Sequence, residues 1–254
     1  MTRAADLPVG WKGLAFDEID STNSEALRRA GSGERGPLWI TARRQTQGRG
    51  RSGRVWASAD ASLAATLLLA PSCAVAALPQ LALVAGVAAS DAVLAMLPQD
   101  ARCRVRLKWP NDVLVGGAKV TGILIESSIF GSELVAVIGI GTNVGARPDL
   151  GRSDVTSLAD NGSTAGAGEL SRTLAHALAH WLAVWREGGG LSEIRDAWLA
   201  RAGRVGEPMT VNAGGEKVAG VFAGLDEDGA LLLETGGALR RFTFGDVALG
   251  ATRV

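Results

Sequence analysis

The chain opens on a strand-like run, Gly13-Leu14-Ala15-Phe16-Asp17-Glu18-Ile19, which gives way to Asp20-Ser21-Thr22-Asn23-Ser24-Glu25. Thr22 and Glu25 have the spacing of a capping box, so a helix is expected to start there and continue through Ala26-Leu27-Arg28-Arg29-Ala30. Leu38-Trp39-Ile40-Thr41-Ala42 and Leu63 to Leu69 are apolar runs of strand length and read as buried strands. The Ala/Leu/Val stretch from Ala77 to Leu97, with Pro98 beyond its end, reads as a core helix, because Gln80 and Asp91 interrupt it. No apolar run is expected to serve as the roughly 20-residue segment that crosses a bilayer.

Four further strand patterns follow at short spacing: Val105 to Trp109, Val113 to Val115, Val120 to Glu126 and Glu133 to Gly141. Successive hairpins predict a mixed, largely antiparallel sheet. Helices are expected from about Gly168 to Arg186 and from Leu191 to Ala202, on either side of Gly188-Gly189-Gly190. From Gly203 onward the pattern changes to short strands (Pro208 to Val211, Lys217 to Phe222, Leu231 to Glu234, Leu239 to Phe244) punctuated by Asp226-Glu227-Asp228-Gly229 and Gly236-Gly237. The expected class is therefore α+β: a catalytic-sized domain over 1–202 and a small SH3-like β-barrel over 203–254.

Composition narrows the partners. The formal net charge is +0 and the isoelectric point about 6.8, so no global basic field favours nonspecific nucleic-acid binding. Cys73 and Cys103 have no metal-ligand spacing and suggest no disulfide framework, which suits a reducing compartment. The N-terminus has no apolar signal core, and a soluble cytoplasmic protein is expected. A homodimer is compatible with the sequence, but sheet-edge pairing is not legible in one chain.

Against this neutral background two segments concentrate chemistry. Gln45-Thr46-Gln47-Gly48-Arg49-Gly50-Arg51-Ser52-Gly53-Arg54-Val55-Trp56 sets three guanidinium groups among three glycines, a loop expected to be mobile until it folds around an anion. Taken alone it reads equally as a ligand-closing loop, a nucleic-acid contact or a solvated turn. Lys108-Trp109-Pro110-Asn111-Asp112, followed by Gly116-Gly117 and Lys119, reads as a hairpin that sets two ammonium groups near a carboxylate, the alternative being unrelated surface charges. Gly116-Gly117-Ala118-Lys119-Val120-Thr121 lacks the glycine spacing of a P-loop. Gly139-Ile140-Gly141-Thr142-Asn143 hints at dinucleotide binding, but Val144 replaces the third glycine, and a glycine-tolerant strand end competes with that reading. His176 and His180, one helical turn apart beside Trp181 and Trp185, read as part of a packed or solvated helix more readily than as a metal pair.

Together, Asp20 to Asn23, Gln45 with Gly48 to Trp56, Lys108 to Asp112, Lys119 to Glu126 and Gly139 to Asn143 resemble, in order and approximate spacing, the motifs of biotin protein ligases. The likeness runs from about Phe16 into the terminal domain. It implies a class II synthetase-like catalytic domain and a short, non-repressor type of chain, since few residues precede the motifs. It also implies a two-step, ATP-dependent reaction: biotin and ATP give biotinyl-5'-AMP, whose acyl group passes to a lysine of a biotin carboxyl carrier domain. On this resemblance Lys119, Arg51 and Asp112 are the catalytic expectations, with Asp112 also a Mg²⁺ ligand. Ser21, Thr22, Asn23, Gln45, Gly48, Arg49, Gly50, Arg51, Trp56, Lys119 and Gly122 would bind biotin. Arg49, Arg51, Arg54, Trp56, Lys108, Asn111, Lys119 and Asn143 would bind ATP or the adenylate. Ala57 to Ser62 departs from the usual pattern after Trp56, which bears on loop geometry. The rival expectations are a lipoate protein ligase and a noncatalytic nucleic-acid-binding module.

Overall fold

The computed structural model describes residues 7–57, 61–148 and 154–250. Ser58, Ala59 and Asp60, the centre of the departing segment, lie outside the described residues.

A seven-stranded sheet carries the first part of the chain. Its strands are β1 (Lys12–Ile19), β2 (Leu38–Gln45), β3 (Leu63–Leu69), β4 (Val105–Lys108), β5 (Asp112–Val115), β6 (Ala118–Phe130) and β7 (Glu133–Thr142). They lie in the order β1-β2-β3-β7-β6-β5-β4, with β1 parallel to β2 and the other pairs antiparallel. The expected mixed, largely antiparallel sheet is thus observed.

The two faces of the sheet are sorted by the two-residue period of its strands. On one face Trp39, Leu67, Ile138 and Ile140 pack beneath α2 (Leu81–Met96) and its neighbours. On the other, Leu38, Ile40, Leu68, Val135 and Val137 meet Ala26 and Ala30 of α1 (Thr22–Gly31). α2 is apolar on all sides because it is enclosed. Val75–Met96 is long and apolar enough to cross a membrane by length and composition, against the expectation from sequence, yet most of it is buried inside this fold. The α-helix begins at Leu81 and not at Ala77, because Pro79 sits in a preceding 3₁₀ turn over Val75–Gln80.

After the short α3 (Gln99–Arg102), α4 (Ala167–Trp185) and α5 (Leu191–Leu199) pack against α2. Trp181 Nε1 donates to Asp91 at 2.8 Å, and Arg201 Nη2 reaches the same carboxylate at 2.7 Å, which satisfies the charge that interrupts α2. His180 is exposed and stands edge-on to Trp181 at 5.1 Å, the solvated alternative of the sequence reading. No group of three or more His, Cys, Asp or Glu suited to a metal ion occurs among the described residues.

The remaining strands are β8 (Pro208–Ala213), β9 (Glu216–Leu225), β10 (Leu231–Thr235), β11 (Ala238–Phe242) and β12 (Asp246–Leu249), an antiparallel sheet in the order β11-β10-β9-β8-β12. Sequence patterning missed β12, a short edge strand in which only Val247 is buried. This small sheet is tied to the large one by the Arg106–Glu207 ion pair and by Trp109 Nε1 donating to the Gly229 carbonyl at 3.3 Å.

Candidate active site

A cavity of about 520 Å³ lies on the α1 side of the large sheet. Its floor follows from register. Ala64, Gly141, Gly122, Asp112 and Lys108 are successive cross-strand partners from β3 to β4. Along β7 the residues on this face change from Val135 and Val137, packed on α1, to Gly139, which lies under Asn23 in the first turn of α1, and Gly141 beyond it. The loss of side-chain volume opens the slot. A Cβ on Gly141 would stand 2.5 Å from the Trp56 ring, and one on Gly122 would stand 2.9 Å from both that ring and the Lys119 side chain. The Gly139-Ile140-Gly141 segment is therefore a strand whose glycines make room, and among the described residues no dinucleotide helix directly follows it.

One end of the slot is neutral and hydrogen-bonding. Ser21 caps α1, its hydroxyl accepting from Ser24 N at 3.4 Å, so the helix starts one residue earlier in its capping pattern than expected. Glu25 does not reach back as a capping box would require, because its carboxylate pairs with Arg28 and Arg29. Asp20 accepts from Ser21 N at 2.7 Å and pairs with Arg28, which holds its pKa at about 2. Gln45 Oε1 accepts from Thr22 N at 2.8 Å and lies 3.0 Å from Thr22 Oγ1, and this contact turns the Gln45 amide nitrogen away as a donor. Gly48 lies behind this corner, where a Cβ would come within 3.1 Å of Gln45 Nε2 and 2.4 Å of the Trp56 carbonyl.

The other end is charged. The Gly116-Gly117 turn has φ of 60° and 84°, which only glycine adopts without strain, and it returns β6 alongside β5. Lys108 and Lys119 reach Asp112 at 2.8 and 2.6 Å. Burial alone would raise the Asp112 pKa, but the Lys119 and Lys108 charges outweigh it and hold the carboxylate below its ordinary range. Backbone bonds from Lys119 N to Asp154 O and from Thr156 N to Lys119 O fix the strand at this residue.

The arginine segment spans the two ends. It was expected to fold only around an anion, yet it is closed on protein acceptors. Arg49 donates to Glu126 at 2.9 Å, Arg51 to Asn111 Oδ1 at 3.0 Å and the Gly245 carbonyl at 2.9 Å, and Arg54 to Asp246 at 2.7 Å. Burial pushes the Arg51 pKa down, with the Asp246 charge opposing. Trp56 N bonds Gly48 O at 2.9 Å, closing the loop at its base, and Lys119 Nζ lies 5.6 Å from the Trp56 ring centroid. Three buried polar atoms on the slot's lining residues, Trp56 Nε1, Asp112 Oδ1 and Asn143 Oδ1, have no hydrogen-bond partner among the described residues, although Asp112 Oδ1 is in ion-pair contact with Lys119.

Every site residue expected from sequence lines this cavity except Gly48, which supports it from behind. Asn23 lines the cavity but its amide is consumed inward, by Thr66 on one side and Glu126 on the other. Asp112 is engaged by two lysines, which makes it a holder of their ammonium groups, and no group of three or more His, Cys, Asp or Glu suited to a metal ion occurs around it among the described residues. Sequence reasoning missed Thr66, Glu126 and Asp246 as supporting residues. Thr66 is a lone hydroxyl within an apolar strand, and Glu126 lies two β-periods beyond Gly122, signals that were available.

A slot with a neutral polar corner at one end and gathered cations at the other is suited to a small acid held against a polyanion. The chain belongs to the biotin/lipoate A/B protein ligase family, whose model matches residues 15–143, and residues 205–250 match the biotin protein ligase C-terminal domain. It is 43% identical to the biotin–acetyl-CoA-carboxylase ligase of Paracoccus denitrificans over 84% of this chain and 90% of that one. The Mycobacterium tuberculosis ligase of the same name is 33% identical over 94% and 89%. The biotin protein ligase of Aquifex aeolicus solved with biotin and ATP superposes with a TM-score of 0.78 and 27% identity, over 94% of this chain and 99% of that one.

Proposed function

We propose that this protein is an ATP-dependent ligase that activates biotin as biotinyl-5'-AMP and transfers it to a lysine of a biotin carboxyl carrier domain. The observation that carries the reading is the slot itself, with its hydrogen-bonding corner, glycine floor and Lys108–Asp112–Lys119 cluster beneath three arginines. In the first step a biotin carboxylate oxygen forms a bond to the α-phosphorus as pyrophosphate leaves. Both reactants are anionic, so Lys119 and Arg51 offset their repulsion and the charge of the transition state. Asp112 keeps Lys119 and Lys108 aimed at the phosphates, and Mg²⁺ enters with the nucleotide as part of the substrate. In the second step the carrier amine attacks the acyl carbon and AMP leaves.

Ser21, Thr22 and Gln45 take the ureido head, Gly122 and Gly141 admit the ring and chain, and Trp56 covers them. Lys108, Arg49, Arg54 and Asn111 serve the phosphates, and the open Asn143 acceptor suits an adenine amine. The division at residue 203 separates this catalytic part from a sheet that braces the arginine loop. Free Cys73 and Cys103 suit a cytoplasmic location. Incubation with ATP, Mg²⁺ and either biotin or lipoate, followed by mass spectrometry, should yield biotinyl-AMP. Lipoyl-AMP as the main product, or no adenylate, would overturn the reading.

A further inference from the structure

Beneath the polar corner a chain of hydrogen bonds, buried at Thr66, runs from Gln45 to Arg49 of the arginine loop, and counting its protons fixes its direction. Asn23 Nδ2 lies 2.8 Å from Glu126 Oε2 and 3.4 Å from the Leu124 carbonyl, both acceptors, so the amide nitrogen must point there. Asn23 Oδ1 then faces Thr66 Oγ1 at 2.7 Å and can only accept, which commits the single Thr66 proton to it. Thr66 also lies 2.8 Å from Thr22 Oγ1, and with its proton spent it can only accept there. Gln45 Oε1, on the other side of Thr22, is likewise an acceptor. Thr22 therefore has two neighbours competing for its one proton and none donating to its oxygen. Its lone pairs are left for a donor from the cavity.

Thr66 is fully buried, and Glu126, at the far end of the chain, holds Arg49 of the loop at 2.9 Å. Gly139 must be glycine for this arrangement, because its Cβ would stand 2.2 Å from Asn23 Oδ1.

We propose that Thr66 is a positioning residue for the head-group corner: by donating to Asn23 and accepting from Thr22 it anchors both side chains, so that the Thr22 Oγ1 lone pairs are aimed at a substrate N–H, and through Asn23 and Glu126 it links that corner to Arg49. The inference rests on the biotin-activating reading, in which the cyclic urea supplies that N–H. Were Thr66 apolar, Asn23 Oδ1 would lose its donor and the Thr22 hydroxyl one of its two acceptors, while the cavity walls would stay in place.

The test is biotin-dependent pyrophosphate release by the full chain carrying Thr66→Val or Thr66→Ser, with KM measured for biotin and for ATP and the release rate of preformed biotinyl-AMP followed in parallel. Thr66→Val should raise the biotin KM by about tenfold, the worth of roughly one hydrogen bond. The ATP KM should stay within about twofold, the scatter left when no direct contact is lost. The adenylate should also dissociate faster, and Thr66→Ser should restore both properties. Should the valine variant not fold, Thr66→Ala carries the same comparison. An unchanged biotin KM, or a fall in kcat with both KM values rising together and no rescue by serine, overturns the proposal. If the unaltered protein releases no pyrophosphate with biotin, it is the ligase reading that fails.

Discussion

Asp112 sets the electrostatics of the charged end, and its environment makes two predictions specific. Its pKa is depressed in the folded protein, so its pairing contributes full stability above the ordinary carboxylate range, and that contribution is lost only as pH falls through the lowered folded value. Asp112→Asn removes the counter-ion of two ammonium groups that are themselves partly buried. It should cost about 3 kcal/mol at neutral pH, with the deficit narrowing as the wild-type carboxylate protonates in acid. Urea unfolding at pH 7 and pH 3 checks both the size and the sign. Lys119→Ala leaves Asp112 paired with Lys108, so the fold should survive while biotin-dependent pyrophosphate release slows by roughly 10²-fold or more, as when an oriented charge donor is removed from a reacting oxygen. An unchanged rate would refute the role assigned to Lys119.

At the scale of elements, the site is a contrast between a rigid floor and a folded strap. Gly139 and Gly141 are neighbours on one face of β7, yet alanine at the two positions should act differently. At Gly139 the added Cβ meets the buried Asn23 amide, which cannot yield without breaking its bonds to Thr66 and Glu126. Overpacking there should cost about 1–3 kcal/mol of stability. At Gly141 the Cβ meets the Trp56 ring, carried by the strap, so the melting temperature should hold while the biotin KM rises. Thermal melts paired with steady-state kinetics separate the two outcomes. Arg51→Gly tests the strap from the other side: losing its bonds to Asn111 and Gly245 should shorten retention of biotinyl-AMP in a dissociation assay, and equal retention would show that Arg51 does not hold the strap. Much of this was legible in the chain. The Lys108 to Lys119 hairpin and the three arginines are local signals, and short-range pairing placed Lys119 against Asp112. The glycine floor was not legible, because it depends on β3, β6 and β7 meeting in one register across long sequence separations, and a one-residue slip would turn Gly141 to the other face.

On the scale of the whole molecule, the question is why the strap closes at all, since its glycines favour many conformations. Part of the answer lies 192 residues further along, where β12 delivers Asp246 to Arg54 and the preceding Gly245 carbonyl accepts from Arg51. No sequence pattern announced this, because the contact exists only once the small sheet docks through Arg106–Glu207 and Trp109–Gly229. The second sheet is thereby a wall of the site as well as a neighbour to it. The Arg54–Asp246 pair is about half exposed, so it should contribute little to global stability, on the order of 0.2–1 kcal/mol in a double-mutant cycle. Its effect should fall instead on the strap's open and closed populations. Asp246→Ala should therefore leave the melting temperature nearly unchanged and speed biotinyl-AMP release. Arg54→Ala in the same background should add less than it does alone, because the ion pair is already gone and only the contact of Arg54 with the phosphates remains to be lost. Additive effects of the two on the release rate would mean that each acts separately, and the docked sheet would then brace the strap by some route other than this ion pair.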